Sequence, residues 1–168
     1  MILKYALIPL LGVAALSELA MADVLAARTR SNPFSFEPTA SGVLLPTNDT
    51  GSTRLTFVTT RANQRVVITY NAECSVTNIA GNNDVFLGTD IIVDRGTSRA
   101  IIASPTVSDN ALCTSDDVPG GDFVSVTSMG VAVIPVAGTH TVTVVGNITG
   151  GGAGDFAGVD DTTLVVQD

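Results

Sequence analysis

The stretch that decides the fold is Arg65-Val66-Val67-Ile68-Thr69-Tyr70-Asn71-Ala72-Glu73-Cys74. Apolar side chains occupy every second position from Val66 onward, with Thr69, Asn71 and Glu73 between them. A period of two is typical of a β-strand, because successive side chains of a strand point to opposite sides of the sheet. The pattern predicts a strand with one face in a core and the other toward solvent.

The same alternation recurs along the chain. It is found in residues 53–60, 85–93, 123–134, 141–144 and 164–166, with a short apolar run at 100–103. No apolar stripe with a helical period follows Ala27. Seven to nine short strands predict an all-β fold, a two-sheet antiparallel sandwich with a jelly-roll-like arrangement. Residues 42–168 are expected to form this single domain.

Clusters of Gly, Pro, Asn and Asp separate the predicted strands, as expected where a chain turns. They lie at residues 48–51, 81–84, 94–96 and 119–121. The connection Pro135-Val136-Ala137-Gly138 predicts a hairpin between two neighbouring strands.

The N-terminus has the pattern of a secretory signal peptide. Lys4 supplies the positive charge, residues 5–16 are almost wholly apolar, and Ala20-Met21-Ala22 offers small residues to signal peptidase. Residues 1–22 are predicted to be removed by cleavage between Ala22 and Asp23. The apolar run is shorter than the roughly 20 residues of a membrane-spanning helix, although an uncleaved anchor or an amphipathic helix is an alternative. The rest of the chain shows no membrane span.

These features place the protein outside the cell, as a secreted or cell-surface protein, with the periplasm as an alternative location. Residues 23–41 are polar and Pro-bearing, and they are predicted to be a linker or an edge segment.

Charge narrows the function classes. The net charge is −8, and Lys4 is the only lysine. An acidic chain with scattered arginines lacks the basic surface that neutralises phosphates, so nucleic acid is not expected as a partner. The chain that remains after cleavage has no lysine for Schiff-base chemistry.

Cys74 and Cys113 are the only cysteines and lie 39 positions apart. In an exported protein such a pair predicts one intrachain disulfide, here between a core-facing strand residue and a loop at Cys113. Two free thiols are the alternative. Only one His is present to join them in a metal site.

Residues with catalytic chemistry are few. His140 is the only histidine, and it is interpreted either as a general base or as a strand-end side chain hydrogen-bonded to a neighbouring loop. Glu73 with an aspartate could form the carboxylate pair of a glycosidase, but Glu73 is expected on a solvated strand face. No Gly-x-Ser-x-Gly motif occurs. The chain is therefore predicted not to be an enzyme.

Calcium is the cofactor that the acidic turns could bind, because hard cations prefer several oxygen ligands on a flexible loop. The candidate ligands fall into three clusters. They are Asn82, Asn83 and Asp84; Asp116, Asp117 and Asp122; and Asp155, Asp160 and Asp161. Ordinary turn chemistry is the alternative interpretation.

Asn48-Asp49-Thr50 and Asn147-Ile148-Thr149 match the N-glycosylation pattern. Their use depends on the host.

Residues 137–144, Ala-Gly-Thr-His-Thr-Val-Thr-Val, are followed by a Gly-rich stretch at 150–154 and by Asp161-Thr162-Thr163-Leu164-Val165-Val166. This C-terminal part resembles the last two strands of bacterial and phage jelly-roll domains similar to the complement globular-head and tumour-necrosis-factor superfamily. The resemblance implies a recognition or stalk-end module and a homotrimer. A protein or a glycan is the ligand expected for such a module. Two other roles are weighed beside it: a subunit of an extracellular assembly that exchanges residues 23–41 as a strand, and a small exported hydrolase.

Overall fold

The computed structural model describes residues 22–39, 41–79, 85–103, 111–115 and 123–168. All regular structure in these ranges is β-strand, which confirms the predicted all-β class. The strands are β1 (Val24–Arg30), β2 (Phe34–Phe36), β3 (Val43–Leu44), β4 (Leu55–Thr59), β5 (Gln64–Thr77), β6 (Phe86–Val93), β7 (Ile101–Ile102), β8 (Ala111–Thr114), β9 (Val124–Ile134), β10 (Gly138–Thr149) and β11 (Phe156–Gln167).

The strands form two antiparallel sheets. Sheet A has the order β1-β11-β5-β9, with β2 also on β11; sheet B has the order β3-β10-β6-β7, with β4 on β10 and β8 on β6. Eight of the strands therefore pair from the outside of the chain inward, as β1·β11, β4·β10, β5·β9 and β6·β8. This nested pairing is the strand order of a jelly roll, and it confirms the predicted sandwich.

The connection at residues 135–137 corrects one prediction. It was expected to close a hairpin, but β9 pairs with β5 in sheet A, whereas β10 pairs with β3, β4 and β6 in sheet B. The turn therefore carries the chain from one sheet to the other. Turn composition shows where a chain reverses, but only the packing of the sheets decides whether the next strand is a hydrogen-bonded neighbour.

Residues 23–41 contribute two strands of sheet A. Both β1 and β2 pair with β11, at its C-terminal and N-terminal parts respectively. The carbonyl of Asp23 accepts a hydrogen bond from the amide of Asp168 at 2.9 Å, so the ladder continues to the end of the chain. Ala22 and Asp23 are both exposed. The other residues of the predicted signal peptide lie outside the described residues, and no described helix is long and apolar enough to cross a membrane.

The core lies between the sheets and is built from the inward positions of the alternating strands. Its largest side chains are fully buried: Tyr70, Phe57, Leu45, Ile68, Leu87, Ile134 and Leu164. Packing is tight enough to require a glycine at position 146, where an added Cβ would lie 2.8 Å from the Phe36 ring and 3.0 Å from the Leu45 side chain. Overpacking of this kind typically costs about 1–3 kcal/mol.

The two sheets are also joined at both of their sides. On one side, the Arg28 guanidinium of β1 donates to Ser52 Oγ at 3.1 Å and to the Arg54 carbonyl at 2.9 Å, just before β4. On the other side, a disulfide joins Cys74 of β5 to Cys113 of β8, with 6.2 Å between their Cα atoms. The predicted disulfide is confirmed, but Cys113 lies in a strand rather than in a loop.

Candidate functional site on the outer face of sheet A

The outward face of sheet A is more open than that of sheet B. In β10, at the centre of sheet B, the outward residues Thr143 and Val145 are buried. In β5, at the centre of sheet A, the outward residues Val67, Thr69 and Asn71 are only half-buried, and on the edge strand β9 Met129 and Val133 are 56% and 48% exposed. We define the outer face of sheet A by the outward residues of β5, β9 and β11. It divides along the strands into an aromatic end, a polar belt and an aliphatic end.

The polar belt crosses the middle of the sheet. In the strand register, Glu73 of β5 lies between Ser125 of β9 and Asp160 of β11. Next to it, Asn71 Oδ1 accepts a short hydrogen bond from the Thr127 hydroxyl. Directly opposed residues of an antiparallel pair have Cα atoms about 4.5–5.5 Å apart. The belt therefore presents two neighbouring carboxylates among hydroxyl and amide groups.

The aromatic end is formed by Phe123, Phe156 and a glycine. Gly158 faces outward between Ser75 and Ser35, and the tip of the Phe123 ring lies 3.4 Å from the position that its Cβ would take. The ring therefore rests on a part of the sheet that has no side chain. Phe123 is still 48% exposed and Phe156 38% exposed. This end offers aromatic surface to a ligand.

The aliphatic end lies at the start of β5 and the end of β9, where Gln64 pairs with Ile134. Val131 and Val133 of β9 face Val67 and Arg65 of β5 in the register, and Met129 faces Thr69. Exposed aliphatic side chains thus line the outer edge of the sheet. In a folded monomer these apolar side chains are in contact with water, which is unfavourable. Clusters of exposed apolar side chains therefore typically mark a surface that binds a partner.

His140 is held inside sheet B rather than on this face. Its Nδ1 lies 2.7 Å from Asp94 Oδ2, and its Nε2 lies 3.0 Å from the Val136 carbonyl oxygen. Asp94 Oδ1 also accepts from the Thr141 amide at 2.9 Å. Both groups facing the ring are oxygen atoms of the fold, so both ring nitrogens are engaged within the protein. The histidine ties the β6 turn to the start of β10.

The same turn contains the predicted reversal at residues 94–96. Asp94 and Gly96 have φ angles of 51° and 85°, in the left-handed region that Asp and especially Gly tolerate. His140 is 6% exposed and its ring lies 5.6 Å from that of Phe57, so it packs as a core residue.

The predicted calcium ligands are not brought together where the structure describes them. Asp155 is fully buried, and its carboxylate accepts hydrogen bonds from the Ile79 amide at 2.7 Å and the Gly152 amide at 2.6 Å. Asp160 and Asp161 lie farther along β11 at a register shift, where the Asp161 amide donates to Asp160 Oδ1 at 2.9 Å. Among the described residues no group of three His, Cys, Asp or Glu side chains forms a metal site.

The other predicted calcium ligands, Asn82, Asn83, Asp84, Asp116, Asp117 and Asp122, lie outside the described residues, as do the predicted turns at 81–84 and 119–121.

The two glycosylation motifs have different surroundings. Asn48 caps the turn at residues 48–51, where its Oδ1 accepts from the Ser52 amide at 2.9 Å and from the Thr50 hydroxyl at 3.0 Å. Asn147 lies within β10, and its Nδ2 donates to Asp90 Oδ2 at 3.2 Å. Both side-chain amides are thus engaged in contacts within the fold.

A buried arginine was not identified from the sequence. Arg30, at the end of β1, is 7% exposed; its Nη2 donates to the Pro33 carbonyl at 3.0 Å, and its guanidinium lies 5.8 Å from the centre of the Phe34 ring. Burial raises the pKa of Tyr70 well above its usual range, and the Arg30 charge and the Thr162 side chain act in the opposite direction. Alternation along β1 was the signal that could have placed Arg30 inward, but the run is short and polar.

The sequence matches no protein-family model and no curated protein.

Proposed function

We propose that the protein is an exported, non-catalytic binding or structural module whose contact surface is the outer face of sheet A. The observation that supports this is the exposure of large apolar side chains at both ends of a sheet whose other side is already packed into a core. Because these side chains stay exposed, they contribute little to the free energy of folding. Clustered exposed apolar groups typically mark a contact surface. Export is supported by the Cys74–Cys113 disulfide, which persists in oxidising compartments.

The contacts of His140 favour this proposal over a hydrolase. A general base needs a ring nitrogen that can reach the substrate, whereas both nitrogens of His140 are engaged within the fold. Glu73 and Asp160 are adjacent on one face of a sheet. Glycosidases instead hold their carboxyl groups on either side of the scissile bond.

A glycan is the ligand class that the aromatic end fits. The faces of Phe123 and Phe156 can pack on the C–H faces of a sugar ring. The carboxylates of Glu73 and Asp160 and the hydroxyl of Ser125 can accept hydrogen bonds from sugar hydroxyls. Such sites combine apolar surface with a few placed polar groups.

A glycan array probed with the purified chain tests the proposal. We expect binding to at least one glycan class, lost in the Phe123→Ser/Phe156→Ser double variant. The matched control is Val58→Ser, which changes a side chain that is 52% exposed on β4 of the other sheet. Binding that survives the double variant, or that Val58→Ser removes equally, would contradict the proposed surface.

A panel of ester and glycoside substrates tests the non-catalytic part. We expect no turnover above that of the heated protein. Turnover that is lost in His140→Ala or Glu73→Ala, with the melting temperature of the variant measured alongside, would show that the chain is an enzyme.

Calcium binding remains part of the proposal for the acidic loops. Addition of millimolar Ca²⁺ is expected to raise the melting temperature, and a chelator is expected to reverse the rise, because a ligand that binds only the folded state stabilises it. An unchanged melting temperature would remove calcium from the proposal.

A further inference from the structure

Strand β9 is the longest edge strand among the described residues of the chain. One side of β9 pairs with β5 at every position from Val124 to Ile134. Its other side pairs with no strand in the described parts of the chain. An unpaired edge presents a row of N–H and C=O groups that can accept another strand.

The other sheet edges in the described ranges each have a feature that disfavours pairing with another strand. Edge strand β1 carries Arg28 and Arg30 and has a register shift between Val24 and Ala26. The edges of sheet B are made of short strands, with 2 residues in β3, 5 in β4, 2 in β7 and 4 in β8. Charges, bulges and short strands are the usual devices against edge pairing.

β9 has none of these devices. Its 11 residues, Val-Ser-Val-Thr-Ser-Met-Gly-Val-Ala-Val-Ile, include no charge and no proline, and its register with β5 is continuous. The whole chain carries a net charge of −8. Because β9 is neutral, two copies can pair along it without bringing like charges together at the contact.

We propose that two copies of this chain pair through β9, antiparallel and about a two-fold axis, to join two copies of sheet A into one sheet. The axis stands perpendicular to the sheet, because only then do outward side chains of one copy lie beside outward side chains of the other. This inference concerns self-association and does not depend on which ligand the aromatic end binds.

The side chains select the register. With Val131 on the axis, Val131 faces its own copy, and Met129 of each chain faces Val133 of the partner subunit. The outward apolar residues of β9 at the aliphatic end then become cross-strand neighbours, and Gly130 and Ala132 face one another on the inward side. With Met129 on the axis, Val131 and Val133 would instead face Thr127 and Ser125. Cross-strand apolar pairs stabilise a sheet, so the axis passes through Val131.

Sedimentation velocity over a concentration series tests the association. The wild-type chain is expected to show a reversible dimer, and Val131→Lys is expected to raise its dissociation constant at least about tenfold, because two like charges then face one another across the axis. Val58→Lys, at an exposed valine of sheet B, is the control and is expected to leave the dimer unchanged. A wild-type monomer at all concentrations, or a trimer insensitive to Val131→Lys, would overturn the inference.

Cysteine cross-linking tests the register and remains informative if Val131→Lys folds poorly. Val131→Cys is expected to give a disulfide-linked dimer under mild oxidation, since opposed Cβ atoms lie about 4.5–5.5 Å apart and a small adjustment brings them within disulfide range. Val58→Cys is expected to remain uncross-linked. Cross-linking of Met129→Cys in place of Val131→Cys would overturn the proposed axis, and equal cross-linking of Val58→Cys would show that the contact is not specific.

Discussion

The two sides of the sandwich are closed in different ways. On the β1 side, the sheets are joined by hydrogen bonds from Arg28 to the segment before β4, and the edge strand carries charges and a register shift. On the β9 side, the sheets are joined by the Cys74–Cys113 disulfide, and the edge strand of sheet A is neutral and regular. The two cysteines lie on β5 and β8, so closure on this side uses no side chain of β9. On the β1 side, one strand both joins the sheets and carries charges at the sheet edge. On the β9 side, the residues that join the sheets lie on other strands than the edge strand.

The largest effect is expected from removing the covalent closure. The Cys74→Ala/Cys113→Ala variant should lose about 4 kcal/mol of unfolding free energy, because the disulfide closes a loop of 39 residues in the unfolded chain. Urea denaturation of the two proteins measures the loss. A decrease below about 1 kcal/mol would indicate that the β9 side is held by packing alone.

Removal of the hydrogen-bonded closure should have the next largest effect. Arg28→Ala removes the guanidinium that donates to Ser52 Oγ and to the Arg54 carbonyl, although the Arg54 carbonyl still accepts from Ser52 Oγ at 3.1 Å. Hydrogen bonds from a charged group contribute about 1.5–3 kcal/mol when partly buried. We expect a loss toward the lower end of that range, measured by urea denaturation. Arg65→Ala, at an exposed position of β5, is the control and should change stability by less than about 0.5 kcal/mol. Equal losses in the two variants would mean that Arg28 does not join the sheets.

The buried Tyr70 of β5, which lies near Arg30 at the end of β1, is expected to make stability depend on alkaline pH. Because burial raises the pKa of Tyr70, the unfolded chain loses this proton near pH 10 while the folded chain keeps it. The stabilisation is therefore complete below about pH 10 and falls as pH rises above it, by at most about 1.4 kcal/mol per pH unit.

Urea denaturation at pH 9, 10 and 11 measures this fall, and Tyr70→Phe, which lacks the titrating group, should show a smaller one. Parallel curves for the two proteins would show that Tyr70 does not contribute to the alkaline loss.

The smallest effect is expected on the exposed part of β9. Val133→Thr should change the unfolding free energy of the dilute monomer by less than about 0.5 kcal/mol, because its side chain is 48% exposed and a surface substitution away from special features does little. Thermal melts at low protein concentration measure the change. A loss as large as that of Arg28→Ala would show that this side chain serves the fold of one chain rather than contact between two.

Much of the fold could be predicted because alternation is a local property. The alternating run around Val66 and Tyr70 predicted both the strand and its inward face, and the presence of two cysteines predicted the disulfide. The hairpin at residues 135–138 was predicted wrongly, because a turn has the same composition whether the next strand joins the same sheet or the opposite one. β1, β2, β3 and β8 are short or polar, so the pattern in each is too brief to identify it.

The candidate site was less accessible to sequence reasoning. Glu73 was expected on a solvated face, where the structure also places it, but its pairing with Asp160 depends on the register of strands that lie far apart in the chain. Asp155 was grouped with Asp160 and Asp161 because they are close in sequence. A strand rises about 3.3 Å per residue, so the five residue steps from Asp155, just before β11, to Asp160 separate the two by roughly 16 Å.

The sequence by itself determined the all-β class, the inward and outward faces of the long strands, the acidic charge and the pairing of the two cysteines. These follow from side-chain period, composition and the number of residues of each type. Only the tertiary structure decided the jelly-roll order, the engagement of both nitrogens of His140, and the position of β9 at the end of sheet A among the described strands. Those features depend on contacts between distant segments, and such contacts are set by the joint packing of both sheets rather than by any one stretch of chain.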